Sequence, residues 1–417
     1  MLESLRVRPQ IRSRIGAGPL AEHVDAFVAV LQDEGYAPGV MRRYVYAIDV
    51  FGQWLARRQI AASDLDETIV ARFVARLKRP HAPGRPRGRL PDVACGVRKF
   101  TARLWSAGDA TRHNAPPVTP TDQWLHAFDE HLARVVGASV GTRRIYLRHA
   151  RAFLTARFGQ ARPDWAALTT EDVADFVRVH ASRLAPAACR APATAIRAFL
   201  RFLATRGVVR AGLAGAIPPV REWKLARLPR ALTRDDLQRV LDACRAPSPA
   251  QARDRVVLLV LARLGLRASE VAALHVEDVD WREGHVVIRA GKSGRERCLP
   301  LPHDVGDGLV GYLRTRRAAP GCRHLFVRAR PPYGPMASAT VTAIAQQALQ
   351  HAGITVPRPG AHTFRHTVAT HLVQQGVPFK AVADVLGHAR LETTAIYAKL
   401  DLPTLAPIAL PWPGAAP

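Results

Sequence analysis

Acidic residues are scarce in this chain: 34 Asp and Glu stand against 60 Lys and Arg in 417 residues, leaving a formal charge of +26 and a pI near 11.2. So large a positive surplus calls for a polyanionic partner. Long apolar runs are missing too, none approaching the roughly 20 residues that cross a bilayer, so nucleic acid is favoured over membrane. Cysteine is thin: Cys95, Cys189, Cys244, Cys298 and Cys322 are odd in number and far apart, without a C-x-x-C pair or metal-ligand spacing. That excludes a disulfide framework and a cysteine-built metal site, and it suits a reducing cytosol. Arg6, Arg8, Arg12 and Arg14 interrupt the first residues, so no signal peptide is expected, and the expected location is the cytoplasm, on the nucleoid when DNA is bound. Only six of the 60 basic residues are lysines, which makes each of them worth a look. Richness in Ala, Arg, Pro and Gly gives the basicity a second source, the nucleotide composition of the gene, so charge alone does not decide function.

The length and the 48% hydrophobic content suffice for two or three domains, each with its own core. Two stretches of the N-terminal half read as copies of one module. Tyr44 and Phe51 lie 102 positions before Tyr146 and Phe153, and each tyrosine follows an arginine pair, Arg42-Arg43 or Arg143-Arg144. Leu65, Val70, Phe73 and Val74 recur 103 positions later as Leu168, Val173, Phe176 and Val177, and Arg98, Phe100 and Leu104 recur at an offset of 99 as Arg197, Phe199 and Leu203. The shrinking offset places extra residues in the first copy, in the Pro/Arg-rich loop from Pro80 to Pro91. Spacings of three and four, as in Tyr44, Ile48, Phe51 and Leu55, predict small helical bundles whose apolar stripe is core, with the arginines on other faces open to phosphates or to solvent. The proline-rich stretch 107–122 separates the copies, and a basic, proline-bounded stretch, 218–230, leads to a third domain. The expected boundaries are 1–114, 115–222 and 223–417.

The third domain is expected to be mostly helical with a small sheet. Thr233-Arg234-Asp235-Asp236 has the form of a helix start, with an acidic residue three after the cap. His285 to Arg289 and Arg297 to Leu301 are short β-prone runs joined through Gly291-Lys292-Ser293-Gly294, which predicts a hairpin. Arg267 follows the apolar run Val256 to Leu261 and a turn at Gly265, so it is delivered from the end of a buried helix. Glu270, three residues on, either orients that guanidinium, fixes the backbone or forms an ordinary helix ion pair. His362 shares a helix face with Arg365, and His388 precedes Tyr397 by nine residues. Each piece alone has a plain structural reading, as a core or surface histidine, a solvated turn lysine, or a half-buried tyrosine. Together they could converge cations and donors on a phosphodiester.

In order and local context, Arg267, Lys292, Arg365, His388 and Tyr397 resemble the tyrosine recombinase (phage integrase) family. The resemblance covers about Leu228 to Leu400 and includes Gly265-Leu266-Arg267-Ala268-Ser269-Glu270, Gly291-Lys292 ending in Leu299-Pro300-Leu301, His362-Thr363-Phe364-Arg365-His366-Thr367, and Leu386-Gly387-His388 with Thr393-Thr394 before Tyr397. It implies a mainly α fold with a small β-sheet in the C-terminal catalytic domain, preceded by core-binding-like helical modules, of which one copy is usual and two are present. The ending, through Leu410-Pro411-Trp412-Pro413, resembles recombinases of multi-recombinase mobile elements.

The resemblance further implies a site-specific strand-exchange enzyme that needs no cofactor. Tyr397 attacks the scissile phosphate to form a 3′-phosphotyrosyl bond, Arg267 and Arg365 hold the non-bridging oxygens, and His388 donates a further hydrogen bond. Lys292 protonates the leaving 5′-oxygen and His362 assists proton transfer near Tyr397. Double-stranded DNA is the expected partner, contacted by Arg143, Arg144 and, across the second linker, by Lys224, Arg227 and Arg230. A tetramer on synapsed sites and partner recombinases are also expected. The second module is expected to clamp the core site with the catalytic domain, and the first to bind adjacent DNA. Three other readings compete: a type IB topoisomerase, an architectural DNA-binding subunit, and a metal nuclease built on Glu277, Asp278 and Asp280.

Overall fold

In the computed structural model the described residues are 2–77, 90–110, 119–159, 161–182, 189–217, 231–244, 248–289, 296–318, 320–388, 394 and 397. They fall into two compact units, Met1–Thr111 with Lys224–Pro417, and Arg112–Trp223. Hydrophobic cores follow the sequence segments: one gathers residues 5–110, a second 125–217, a third 232–364, and a small fourth residues 369–397.

The first segment holds α1 (Pro9–Gly16), α2 (Ala21–Asp33), α3 (Pro38–Ala56), α4 (Glu67–Leu77) and α5 (Leu90–Ala107). The second holds α6 (Pro120–Arg134), α7 (Val140–Phe158), α8 (Thr170–Ser182) and α9 (Arg190–Thr205). From α2 and α6 onward the two match helix for helix, and the packing repeats with them. The Phe51 and Phe73 rings lie 4.8 Å apart and their counterparts Phe153 and Phe176 5.1 Å, while Phe27 and Phe100 lie 5.2 Å apart and Phe128 and Phe199 5.1 Å. Aromatic rings at helical spacing are therefore core in both copies, as the periodicity predicts. Among the described residues α1 has no counterpart ahead of α6.

The last segment begins at α10 (Arg234–Ala243), where the Thr233 hydroxyl accepts the Asp236 N–H at 3.0 Å. It continues through α11 (Pro249–Leu264), α12 (Ala268–Ala273), β1 (Val279–Asp280), β2 (His285–Ile288), β3 (Arg297–Pro300), α13 (His303–Thr315), α14 (Ser338–His351), α15 (Ala361–Gln374) and α16 (Phe379–Leu386). The three strands form an antiparallel sheet in chain order, and β2 pairs with β3 from His285↔Pro300 to Ile288↔Arg297, the predicted hairpin. Val256 to Leu261 are all buried in α11, which ends at Gly265 in the left-handed region, φ 61°. An added Cβ there would fall 3.0 Å from the Leu386 side chain, so glycine both turns the chain and lets α16 approach. No helix among the described residues is long and apolar enough to cross a membrane.

Candidate active site

The site assembles around the C-terminal end of α16. A helix of ordinary geometry leaves its last carbonyls without partners and carries partial negative charge there, so cations are favoured. Arg365, on α15 and 4% exposed, donates from Nη2 to the Leu386 carbonyl (2.5 Å) and from Nη1 to the Gly265 carbonyl (2.9 Å). Arg267, just before α12, donates from Nη2 to the Gly387 carbonyl at 3.3 Å. Two guanidiniums 98 positions apart in sequence thus meet on adjacent peptide units.

Glu270 performs two of the three roles open to it in the sequence. Its Oε2 accepts the Arg267 backbone N–H (2.8 Å), closing the first turn of α12, and its Oε1 accepts the Arg267 Nη1 proton (2.7 Å). A further arginine, Arg297 at the start of β3, donates from Nη2 to Glu270 Oε2 (2.8 Å) and from Nε to the Val385 carbonyl (2.9 Å). Arg297 therefore ties the strand leaving the lysine hairpin to both the Arg267 turn and the end of α16. It also explains Gly387, whose φ is 62° and where an added Cβ would fall 2.6 Å from Arg297 Nη1. Burial alone would push the Glu270 carboxyl upward, but hydrogen bonds from Arg297 and Arg267 outweigh it and hold the group below the usual range. Burial, then the nearby Arg267 charge, draws the Arg365 guanidinium down to about 10, which still leaves it charged at neutral pH.

His388 follows Gly387 directly, and its Nδ1 lies 2.8 Å from Thr394 Oγ1. Burial first, and then the Arg365 and Arg267 charges, bring its pKa to about 4, so the ring is neutral at pH 7. Tyr397 is 1% exposed, packed on Ala369, Val373, Val382 and Leu386, and its phenol is pushed up to about 12 by burial against the opposing pull of Arg365. The ring that meets the phenol is His366: Nδ1 lies 2.6 Å from Tyr397 Oη. His362, one turn earlier and exposed, has its ring 6.4 Å from that of His366. Burial, with the positive charge of Arg365 nearby, lowers the half-buried His366 imidazole from its ordinary value.

The structure thus brings together Arg267, Glu270, Arg365, His388 and Tyr397. Sequence reasoning missed Arg297 and His366. Arg297 was absorbed into a β-prone run, although a lone arginine opening a strand next to the lysine hairpin is a signal; His366 lies four residues after His362 and so on the same helix face. Lys292, Lys224, Arg227 and Arg230 lie outside the described residues. In the second module Arg144 is exposed, whereas Arg143 makes a two-pronged ion pair with Asp129 (2.7 and 2.5 Å), an intramolecular partner that competes with phosphate. The acidic trio does not converge: Asp278 accepts from Arg289 and the His275 N–H, Glu277 from Arg323, and Asp280 from the backbone of Arg282 and Glu283. Each carboxylate is satisfied by a different protein donor, which argues against the metal-nuclease reading.

The profile of the Phage integrase family matches residues 230–402. "Putative integrase/recombinase y4rA" of Sinorhizobium fredii is 36% identical over 411 residues, covering 97% of each chain. Tyrosine recombinase XerD of Mycobacterium tuberculosis is 30% identical over 311 residues, covering 70% of this chain and 97% of that protein. Among solved structures, XerH site-specific recombinase bound to palindromic difH substrate, at 20% identity, shares the fold with a TM-score of 0.55 over 69% of this chain and 85% of its own. The chain belongs to the phage integrase family of tyrosine recombinases.

Proposed function

We propose that this chain is a site-specific DNA recombinase of integrase or transposase type that works through Tyr397. The phenolate oxygen attacks the scissile phosphorus and the bond to the 5′-oxygen breaks, leaving a 3′-phosphotyrosyl ester and a 5′-hydroxyl. One ester replaces another, so the bond energy is retained for rejoining and no nucleotide cofactor enters. Arg267 and Arg365 hold the two non-bridging oxygens, where planar guanidiniums neutralise the charge that develops in the transition state. His388, with Nδ1 engaged by Thr394, donates from Nε2. Neutral His366 accepts the phenol proton, and His362 is the next group along that path. Lys292 protonates the departing 5′-oxygen.

The observation that carries the reading is the convergence of Arg267, Arg365 and the His388 turn on the end of α16, with Tyr397 inside the electrostatic reach of Arg365. Double-stranded DNA is the substrate, and a tetramer follows from the chemistry, since exchange between two duplexes involves four strands and each cut uses one tyrosine. Partner recombinases and a cytoplasmic setting complete the proposal. Its test is Tyr397→Phe on a nicked suicide duplex. DNA binding should persist and the protein–DNA adduct seen in a denaturing gel should vanish; an adduct formed by the variant would sink the assignment.

A further inference from the structure

The internal duplication allows a comparison that neither copy permits alone. Helices α3 and α7 have the same length and start 102 positions apart, so Arg42, Tyr46, Asp49 and Gln53 of the first copy stand where Arg144, Arg148, Arg151 and Thr155 stand in the second. Steps of four, three and four keep these positions on one helix face. On α7 that face is open and basic: Arg144 and Arg148 are exposed, and Arg151, its side chain 59% exposed, leans on Asp122 at 2.6 Å. Three arginines on one helix face, in a chain of this charge, suit a phosphate backbone.

On α3 only the Asp49 end of the same face is covered, since Arg42 and Tyr46 are exposed. Asp49, its side chain only 2% exposed, is gripped by Arg14 of α1 through Nε (3.1 Å) and Nη2 (2.6 Å). Arg42 Nη1 donates to the Leu5 carbonyl at 3.4 Å. Arg14 and Ile15 of α1, with Gly18 and Leu20 just after it, line a cavity of about 190 Å³ against Ile48, Asp49, Gly52 and Gln53, so α1 and the turn that follows lie over the Asp49 end of α3. The charge is inverted as well, since a carboxylate at position 49 replaces the arginine at 151. A phosphate brought to Asp49 would meet a like charge and would have to displace Arg14 from its partner.

We infer that α1 is a built-in occupant of the Asp49 end of the duplicated helix face, so that only the second module presents the whole of this face to DNA. The inference rests on the DNA reading above. It also narrows the role expected for the first module, whose contribution to the assembly must come from surfaces other than this end of α3.

The test uses the full chain with Arg148→Ala and Arg151→Ala together, and separately with Arg14→Ala, each binding a 40-base-pair duplex of arbitrary sequence over a range of salt. Removing one phosphate-neutralising arginine flattens the log-log slope by roughly 0.9. The α7 pair should flatten it by about two such steps, Arg148→Lys with Arg151→Lys should restore it, and Arg14→Ala should leave the slope unchanged, because that guanidinium is held by Asp49. An Arg14→Ala variant that loses a full step overturns the inference, as does an α7 pair without effect. A parent protein whose DNA binding has no salt dependence would instead sink the DNA reading itself.

Discussion

Two parts of the catalytic domain hold their chemical groups in opposite ways. At the arginine end, Arg267, Arg297 and Arg365 are locked by a carboxylate and by the carbonyls of Gly265, Val385, Leu386 and Gly387. At the tyrosine end, an apolar pocket keeps the Tyr397 phenol protonated and out of water, with the half-buried His366 against it. Cations are fixed before DNA arrives, because a preorganised guanidinium need not reorient as charge develops. Tyr397 is instead held protonated, and ionising it for the proposed attack requires both a base and a less apolar surrounding. What differs is which cost is met in folding and which is left to the moment of reaction.

The largest expected effect tests whether a third group serves the leaving oxygen, since neither end supplies its proton. Lys292→Ala should slow cleavage by about 10²–10⁴-fold on ordinary DNA and recover most of that loss on DNA with a bridging 5′-sulfur, a leaving group that needs no proton. Equal slowing on both substrates would move the donor elsewhere.

Next come the two arginines, which the comparison treats as alike in chemistry and unlike in setting. Arg365→Ala and Arg267→Ala should each slow cleavage by about 10²–10³-fold. Only Arg365→Ala strands two buried carbonyls, at about 1–3 kcal/mol each, so a thermal melt should show a clear loss for it and a small one for Arg267→Ala, whose side chain is 27% exposed. Equal melting losses would break the distinction between a buried and an accessible arginine.

A smaller effect separates the histidines. His366→Asn should reduce single-turnover cleavage by about 10²-fold, the low end for a lost general base, and His362→Asn by less; the reverse order would return the role to His362. The smallest is a pH effect. The folded pKa of His388, about 4, lies below its ordinary value of 6.5, so the unfolded chain binds the extra proton first. Its contribution to stability is complete above pH 6.5 and is lost as pH falls toward 4. Urea titrations should show His388→Asn flattening the acid limb in that window, and a parallel limb would exclude His388 as its source.

Much of the fold was legible because it rests on local periodicity. The two helical modules, the turn at Gly265, the cap at Thr233 and the hairpin all follow from spacing and turn chemistry, which neighbouring residues decide. Arg297 and His366 were not legible, for a physical reason: what each does depends on a partner brought up from far along the chain, Glu270 and Val385 for Arg297, and Tyr397 for His366. The same holds for Arg143, whose pairing with Asp129 comes from a neighbouring helix. By itself the sequence determined the charge, the duplication and the order of the reactive side chains, because these are properties of residue type and spacing. Only the tertiary structure decided that the arginines converge on the end of α16, that Tyr397 is sequestered beside His366, and that α1 covers the Asp49 end of one of two equivalent helix faces. Convergence, burial and coverage are properties of packing between segments remote in sequence, and local spacing carries no term for them.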